Sequence, residues 1–227
     1  MYGTSIYSAR ERMGKQLAKE HPAEADIVVP VPDSGIPAAF GYSAESGIPF
    51  REGMIKSRYI HRTFIQPDQR MRDLGVKMKL SPLVDHLKGM RIVLVDDSIV
   101  RGTTTKQLVK LMFEAGASEV HVRITAPPIK HPCFYGIDMA RTSELAAAIM
   151  TIDELRDYLG ATSLGYLSVE GAMAAVGRPN NTFCTACFTG DYPVDVPEAL
   201  TKDAFEGTPD VGEIAALSHT QLRLLEI

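Results

Sequence analysis

The hydrophobic positions of this 227-residue chain follow two alternating patterns. Short continuous apolar runs, typical of strands buried on both faces of a parallel sheet, alternate with segments whose apolar residues recur at helical spacing. The predicted strands are Asp26–Pro32, Phe50–Ile55, Met90–Asp96 and Glu119–Ala126; the predicted helices are Ser5–His21, Ala38–Ala44, Thr103–Ala115 (C-cap Gly116), Thr151–Leu159 and Ser168–Val176. This order predicts an α/β fold with a doubly wound, mostly parallel sheet.

Two stretches follow neither pattern. Tyr59–Pro82 carries several cations without clear periodicity, and we interpret it as a long mobile loop of the kind that often serves function. From Val194 onward the chain is acidic with scattered Pro and Gly, which predicts a loosely ordered tail. Residues 1–193 are therefore expected to form one domain and residues 194–227 a C-terminal tail.

Composition and charge limit the classes of function that are expected for this chain. Hydrophobic residues make up 45% of the chain and charged residues 23%, which is a globular balance. The net charge of −4 offers no basic surplus for a nucleic acid, so no such partner is expected. The chain lacks both an apolar run near the roughly 20 residues that span a bilayer and a signal peptide. We therefore expect a cytoplasmic protein that does not bind membranes.

Two polar turns follow predicted strands directly and form the candidate ligand site. They are Asp33–Gly35 and Asp96–Thr105. Sheets of this class bind ligands at the carboxyl ends of their strands, so both turns are expected to face one ligand.

The second turn has the composition of a sugar phosphate site. Asp96 and Asp97 stand at the end of a strand, where carboxylates suit a ribose hydroxyl pair and Mg²⁺. The small polar run Ser98–Thr104 opens a helix, whose N–H groups and positive end suit a phosphate. Gly102 lets the backbone come close to the anion. The segment therefore predicts a site for ribose 5-phosphate and Mg²⁺.

The run Val93–Thr104 resembles the phosphoribosyl pyrophosphate (PRPP) signature of type I phosphoribosyltransferases. Within it, the sequence Asp-Asp-Ser-Ile-Val-Arg-Gly-Thr-Thr is similar to the corresponding segment of the amidophosphoribosyltransferase family. Other matching stretches are Val29–Gly35, Tyr59–Pro67, Gly75–Leu80 and Tyr135–Met139, and the resemblance covers roughly residues 5–190. It implies the type I phosphoribosyltransferase fold, with Tyr59–Pro82 as the flexible flap that closes over PRPP.

The resemblance also implies roles for individual residues. Ser34, Asp96 and Asp97 match the Mg²⁺ site of the family. The turn of Asp33, Ser34 and Gly35 would meet the pyrophosphate. The residues that would bind the ribose and its 5′-phosphate are Asp96, Asp97, Ser98, Ile99, Val100, Arg101, Gly102, Thr103 and Thr104. No protein nucleophile is implied.

The three cysteines form a second candidate site. Cys184 and Cys187 make a Cys-x-x-Cys pair, and Cys133 lies earlier. Residue types alone leave open a zinc site, an iron–sulfur site, a redox pair and no special role. A large branch of the amidophosphoribosyltransferase family carries a [4Fe–4S] cluster on four cysteines, and these three match three of those ligands. In that branch the fourth precedes the stretch matching Ser5–Glu20, so we expect this chain to lack it.

The reaction implied by the resemblance is the first step of purine synthesis. PRPP and ammonia give 5-phosphoribosylamine and pyrophosphate, and the complete enzyme takes its ammonia from glutamine. We expect the N-terminal glutaminase domain to be absent here, and glutamine-dependent activity with it. Feedback inhibition by purine nucleotides and assembly as a homo-oligomer are further implications.

Two other functions stay open. A salvage or orotate phosphoribosyltransferase would use the same PRPP site with a base instead of ammonia, although Arg62–Pro67 and the Cys-x-x-Cys pair argue against it. A PRPP-sensing regulator would bind without catalysis, but such proteins usually add a DNA-binding module and a basic face. Turnover of PRPP with ammonia separates the enzymes from the sensor.

Overall fold

The computed structural model describes Gly3 and residues 5–57, 80–137, 141–177 and 183–195. Its strands are β1 (Ile27–Pro30), β2 (Met54–Lys56), β3 (Leu80–Pro82), β4 (Arg91–Asp96), β5 (Glu119–Ile124) and β6 (Ser163–Tyr166). Its helices are α1 (Ile6–Glu20), α2 (Ile36–Ser46), α3 (Val84–Leu87), α4 (Thr103–Glu114), α5 (Ala146–Ile149), α6 (Ile152–Leu159), α7 (Val169–Val176) and α8 (Ala186–Thr189), with a 3₁₀ turn at Thr142–Glu144. The predicted flap before Leu80 and the predicted tail beyond Asp195 lie outside the described residues.

The main sheet has four parallel strands in the order β1-β4-β5-β6. The clearest apolar run of the sequence, β4, lies between β1 and β5, with Leu94 opposite Val29 on one side and Val122 on the other. A separate antiparallel pair joins β2 to β3. The predicted parallel α/β architecture is confirmed.

Helices cover both faces of the main sheet, because successive side chains of a strand point to opposite sides. On one face, Ile92 and Leu94 of β4 pack with Leu108 of α4 and Leu155 of α6. On the other face, Val93 and Val95 of β4 pack with helices α1 and α2 through a core of Leu17, Ala38 and Tyr42. These two cores make the sheet doubly wound.

Helices α1 and α2 cross at unusually short range because two glycines lie at the crossing. A Cβ added to Gly14 would overlap the backbone of Ala38, and one added to Gly41 would overlap the backbone of Glu11. The carbonyl groups of each helix therefore occupy space that any side chain at these positions would need.

Three helices begin where capping residues predict. The side chain of Ser5 accepts a hydrogen bond from the N–H of Ser8 at the start of α1, and Thr151 forms a complete capping box with Glu154 at α6. At α7 the cap is shared. Ser168 caps the helix from within, while the Glu20 carboxylate from α1 accepts hydrogen bonds from Ser168 N (2.8 Å) and Ser168 Oγ (3.0 Å). The last turn of α1 thereby fixes the first turn of α7.

Several sequence predictions need correction. Phe50 forms only an isolated bridge to Val28, and the strand begins at Met54 in the smaller sheet. The predicted loop Tyr59–Pro82 ends too late, because its last three residues form β3. Strand β6 was missed: it has four residues, one of them glycine, which is too short for a periodic signal. Ala115 rather than Gly116 is the C-cap of α4.

Across the described part of the chain, no helix is both long and apolar enough to cross a membrane.

Candidate functional site

The two predicted turns lie side by side at one edge of the sheet. Strands β1 and β4 pair in parallel up to Pro30 and Val95, and the N–H of Val31 continues the ladder by donating to Val95 O at 2.9 Å. The turn Asp33–Gly35 therefore starts beside the point where β4 ends in Asp96. The sequence alone predicted this arrangement.

Gly35 allows the first turn to lie directly against β4. A Cβ at this position would lie 2.5 Å from Val95 O and 2.8 Å from Val31 O. Its N–H donates to Val31 O at 3.0 Å, which closes the turn, and the peptide bond between Pro32 and Asp33 is cis. Any larger residue at position 35 would push the turn away from the strand.

The two acids at the end of β4 are held by their backbone. Their carbonyl oxygens accept hydrogen bonds from the two residues that follow β5, which ends at Ile124: Asp96 O from Thr125 N at 3.1 Å and Asp97 O from Ala126 N at 2.8 Å. Asp97 N also donates to Asp96 Oδ1 at 2.8 Å, and Ser98 Oγ donates to Asp97 Oδ1 at 3.1 Å. The backbone positions of both acids, beside the first turn, are therefore fixed.

The electrostatics of this acid pair suit a cation. Burial, and then the neighbouring charge of Asp97, raise the pKa of Asp96 to about 7. The two carboxylates repel each other, and a bound divalent cation would offset this repulsion. Their oxygens, with the Ser34 hydroxyl in the adjacent turn, are the hard ligands that Mg²⁺ prefers. The residues present therefore fit Mg²⁺.

The second turn leads into α4 with the features of an anion site. Gly102, at the N-cap, has φ of +77° and supplies no side chain to cap the helix. The first turn of α4 contains no acidic residue, and Thr103 and Thr104 are exposed. The positive end of this twelve-residue helix is thus open to a phosphate.

Two predicted phosphate-site residues have their side chains elsewhere. The side chain of Ile99 is only 2% exposed and packs in the core, so position 99 can offer only its backbone. Arg101 donates through Nε (2.9 Å) and Nη2 (2.6 Å) to Glu144 Oε2 in the 3₁₀ turn. Sequence analysis gave Glu144 no role, and nothing in its neighbourhood of the sequence singles it out.

A second residue that sequence analysis missed is Lys56, the last residue of β2. Its Nζ lies 2.5 Å from Asp33 Oδ2, which places a cation at the turn predicted to meet pyrophosphate. The signal available in the sequence was weak, since Lys56 is simply the polar residue that follows a short apolar run.

The three cysteine thiols are near one another. Cys133 and Cys187 are half-buried and Cys184 is exposed. Burial raises the pKa of the Cys187 thiol, and the nearby Cys133 and Cys184 raise it further. The backbone holds the segments together, because Lys130 N and His131 N donate to Cys187 O at 2.9 and 3.0 Å. Even so, no group of three or more His, Cys, Asp or Glu residues within the described ranges is arranged to hold a metal ion.

Comparison with known proteins agrees with this geometry. The family described as "Phosphoribosyl transferase domain" matches residues 3–131. The amidophosphoribosyltransferase of Synechocystis sp. is 55% identical over 198 residues, which are 87% of this chain and 40% of that protein. The amidophosphoribosyltransferase of Methanothermobacter thermautotrophicus is 51% identical over 200 residues, which are 88% of this chain and 42% of that protein.

A solved structure shares the fold. The glutamine PRPP amidotransferase of B. subtilis, in complex with ADP and GMP, superposes with a TM-score of 0.79 at 50% identity, over 88% of this chain and 45% of that one. The chain spans about two fifths of the length of the curated relatives it matches. The family match extends over more than half of the chain and includes both turns of the candidate site. The chain therefore belongs to the phosphoribosyltransferase domain family.

Proposed function

We propose that this chain is the PRPP-binding, phosphoribosyl-transferring half of an amidophosphoribosyltransferase. The observation that carries the proposal is the position of the acid pair, Asp96 and Asp97, between the open N-terminus of α4 and the turn Asp33–Gly35. An anion site on each side of two carboxylates matches a ribose with a phosphate at one end and a pyrophosphate at the other. The similarity to named amidophosphoribosyltransferases supports ammonia as the acceptor.

Each part of PRPP has a place in this arrangement. Asp96 and Asp97 would accept hydrogen bonds from the ribose 2′- and 3′-hydroxyls. Backbone N–H groups between Ser98 and Thr104 would hold the 5′-phosphate. The Asp33–Gly35 turn and the Lys56 ammonium would hold the pyrophosphate. Since Asp33 already pairs with Lys56, the turn is kept from repelling that anion.

The reaction needs no protein nucleophile. The nitrogen lone pair of ammonia forms a bond to the anomeric carbon while the bond from that carbon to the pyrophosphate oxygen breaks. The electron pair leaves with pyrophosphate, and the new ammonium group loses a proton to solvent. The Lys56 ammonium would stabilise the charge that develops on the leaving group. Mg²⁺, held by Ser34, Asp96 and Asp97, would supply further positive charge there.

The cysteine segment is proposed to carry three of the four ligands of a [4Fe–4S] cluster in the complete enzyme. The nearness of the Cys133, Cys184 and Cys187 thiols supports this, and the fourth ligand would come from outside these three cysteines. Reconstitution of the chain with iron and sulfide, compared with Cys187→Ser, tests the assignment. A cluster spectrum that is unchanged in Cys187→Ser would refute it.

The partners of the complete enzyme are also proposals. The B. subtilis relative in complex with ADP and GMP supports purine nucleotides as feedback inhibitors. The family resemblance supports a homo-oligomer. Glutamine is expected to act only where a glutaminase domain supplies ammonia from it.

The test is pyrophosphate release from PRPP, with Mg²⁺ and ammonium, by this chain and by Asp97→Asn. We expect release by the chain and its loss in Asp97→Asn, whereas the control Glu45→Gln, near the end of α2 that is remote from the Asp33–Gly35 turn, should match the parent. Full turnover by Asp97→Asn at saturating Mg²⁺ would contradict the proposal. Circular dichroism of each variant shows whether a loss reflects the site or the fold.

The same assay decides between the alternatives. Release with a purine or pyrimidine base, and none with ammonium, would identify a salvage or orotate-type transferase. Binding of PRPP without release under either condition would identify a sensor.

A further inference from the structure

The phosphate-binding turn is supported from outside by the segment Thr142–Ile149. Ala146 N donates to Val100 O at 2.8 Å, so α5 holds the middle of the turn. Val100 also packs beside Leu145 in a small apolar cluster. A Cβ added to Gly102 would lie nearest to the side chains of Tyr158, Leu155 and Ala146. The backbone from Val100 to Gly102 therefore rests on this segment.

Arg101 lies between Val100 and Gly102, and its side chain also contacts the segment Thr142–Ile149. Both its Nε and its Nη2 donate to one oxygen of Glu144, an arrangement that fixes the direction of the guanidinium better than a single contact. The side chains are 56% and 46% exposed, so the ion pair contributes little to global stability. The effect of the ion pair on the conformation of the turn is distinct from its effect on stability. The conformation of the turn determines how well it fits the phosphate.

We infer that Glu144 is a positioning residue for the phosphate turn, acting through Arg101 to fix the backbone from Val100 to Gly102 for a sugar 5-phosphate. Glu144 itself does not touch the ligand. Arg101 contributes by its contact with Glu144 and not by binding the phosphate directly. This inference rests on the proposed function, since it assumes that the turn binds the 5′-phosphate.

Two ligands that each correspond to one part of PRPP allow binding at the two ends of the site to be measured separately. Ribose 5-phosphate probes the turn after β4, whereas pyrophosphate probes the Asp33–Gly35 turn. Dissociation constants for both, with Mg²⁺, are measured by calorimetry on the full chain, Glu144→Gln, Arg101→Gln and the double variant. We expect each single variant to bind ribose 5-phosphate about two- to fivefold more weakly, the range for an exposed ion pair, with pyrophosphate binding unchanged. In turnover, KM for PRPP should rise by the same factor while kcat stays constant.

The double variant provides the decisive comparison. If Arg101 acts only through Glu144, removing both groups weakens binding no more than removing either one. Glu45→Gln is the matched control, because it breaks a similarly exposed ion pair with Lys19 on helices away from the turn. It should change neither dissociation constant.

The outcomes separate this inference from the proposed function. Unchanged or tighter binding of ribose 5-phosphate by Glu144→Gln, or a larger loss in Arg101→Gln than in Glu144→Gln, would overturn the inference alone. Weakening of both ligands together would also overturn it, because a general structural defect would then explain the result. A parent chain that binds neither ligand would overturn the proposed function and the inference with it.

Discussion

Lys56 Nζ lies 2.5 Å from Asp33 Oδ2, so the smaller sheet contributes a cation to a turn that follows the first strand of the main sheet. Lys56 is the last residue of β2, whereas Asp33 lies in the turn after β1, 23 positions away. This contact joins the β2–β3 pair to the candidate site, and under the proposed function it would give that pair a direct part in binding the pyrophosphate group.

Replacement of Lys56 tests that part. Lys56→Met should weaken pyrophosphate binding by about tenfold, because a charge-assisted contact is lost and Asp33 is left to repel the anion. Ribose 5-phosphate binding should be unchanged. Lys19→Met, which removes a cation from α1, is the control, and equal effects of the two variants on pyrophosphate would contradict the assignment.

Gly35→Ala is expected to displace the first turn. The added Cβ would lie 2.5 Å from Val95 O, and a backbone atom at the end of a central strand cannot yield. We expect a loss of about 1–3 kcal/mol in the free energy of unfolding, with pyrophosphate binding reduced more than ribose 5-phosphate binding. Urea denaturation and calorimetry measure the two effects. Normal pyrophosphate affinity in a folded Gly35→Ala protein would show that the close approach is not needed.

Gly14→Ala and Gly41→Ala test the crossing of α1 and α2. In an open helix, alanine would stabilise by up to about 1 kcal/mol relative to glycine. Here each added Cβ overlaps backbone of the opposite helix, so we expect a loss of at least about 1–3 kcal/mol instead. The readout is therefore the sign of the change in the melting temperature. The control Glu45→Gln on α2 should leave the melting temperature unchanged. A rise in either glycine variant would contradict the packing.

Acid should destabilise the fold through His21 and His121. Burial, and then the nearby Arg123 guanidinium, lower the pKa of both imidazoles below the usual 6.5, although Glu20 and Glu119 oppose this. The folded state therefore binds fewer protons than the unfolded state once the pH falls below about 6.5. The stability is complete above that pH and declines below it, until the lowered pKa values of the folded state are passed.

Urea denaturation at about pH 7.5 and about pH 5.5 measures this decline. His121→Gln, which removes one of the two titrating imidazoles, should lose less stability between the two conditions than the parent chain. An equal loss in both proteins would mean that His121 does not contribute to the acid sensitivity.

The sequence predicted the parts of the site that lie in one continuous segment. Asp96 to Thr104 could be located because a buried strand, two acids and a small polar helix start are adjacent in the chain. The meeting of this segment with Asp33–Gly35 also followed, since strands of a parallel sheet end at the same edge.

The contacts that the sequence did not predict join distant segments. Glu144 reaches Arg101 across 43 positions, and Lys56 of the smaller sheet reaches Asp33 in the turn after β1 across 23 positions. Neither residue belongs to a periodic pattern or a motif, so only the folded arrangement reveals its neighbour. Strand β6 was missed for a related reason, because its four residues gain their strand character from pairing with β5.

The cap that Glu20 provides to α7 joins residues 148 positions apart. During synthesis, chain elongation delivers α1 long before Ser168 leaves the ribosome, since about 5–20 residues are added each second. Until then the Glu20 carboxylate has only its local partner Gln16, and the surface of α1 that α7 covers is open to solvent. Helix α1 thus completes its packing late, and a nascent chain halted before Ser168 would expose that surface to chaperones.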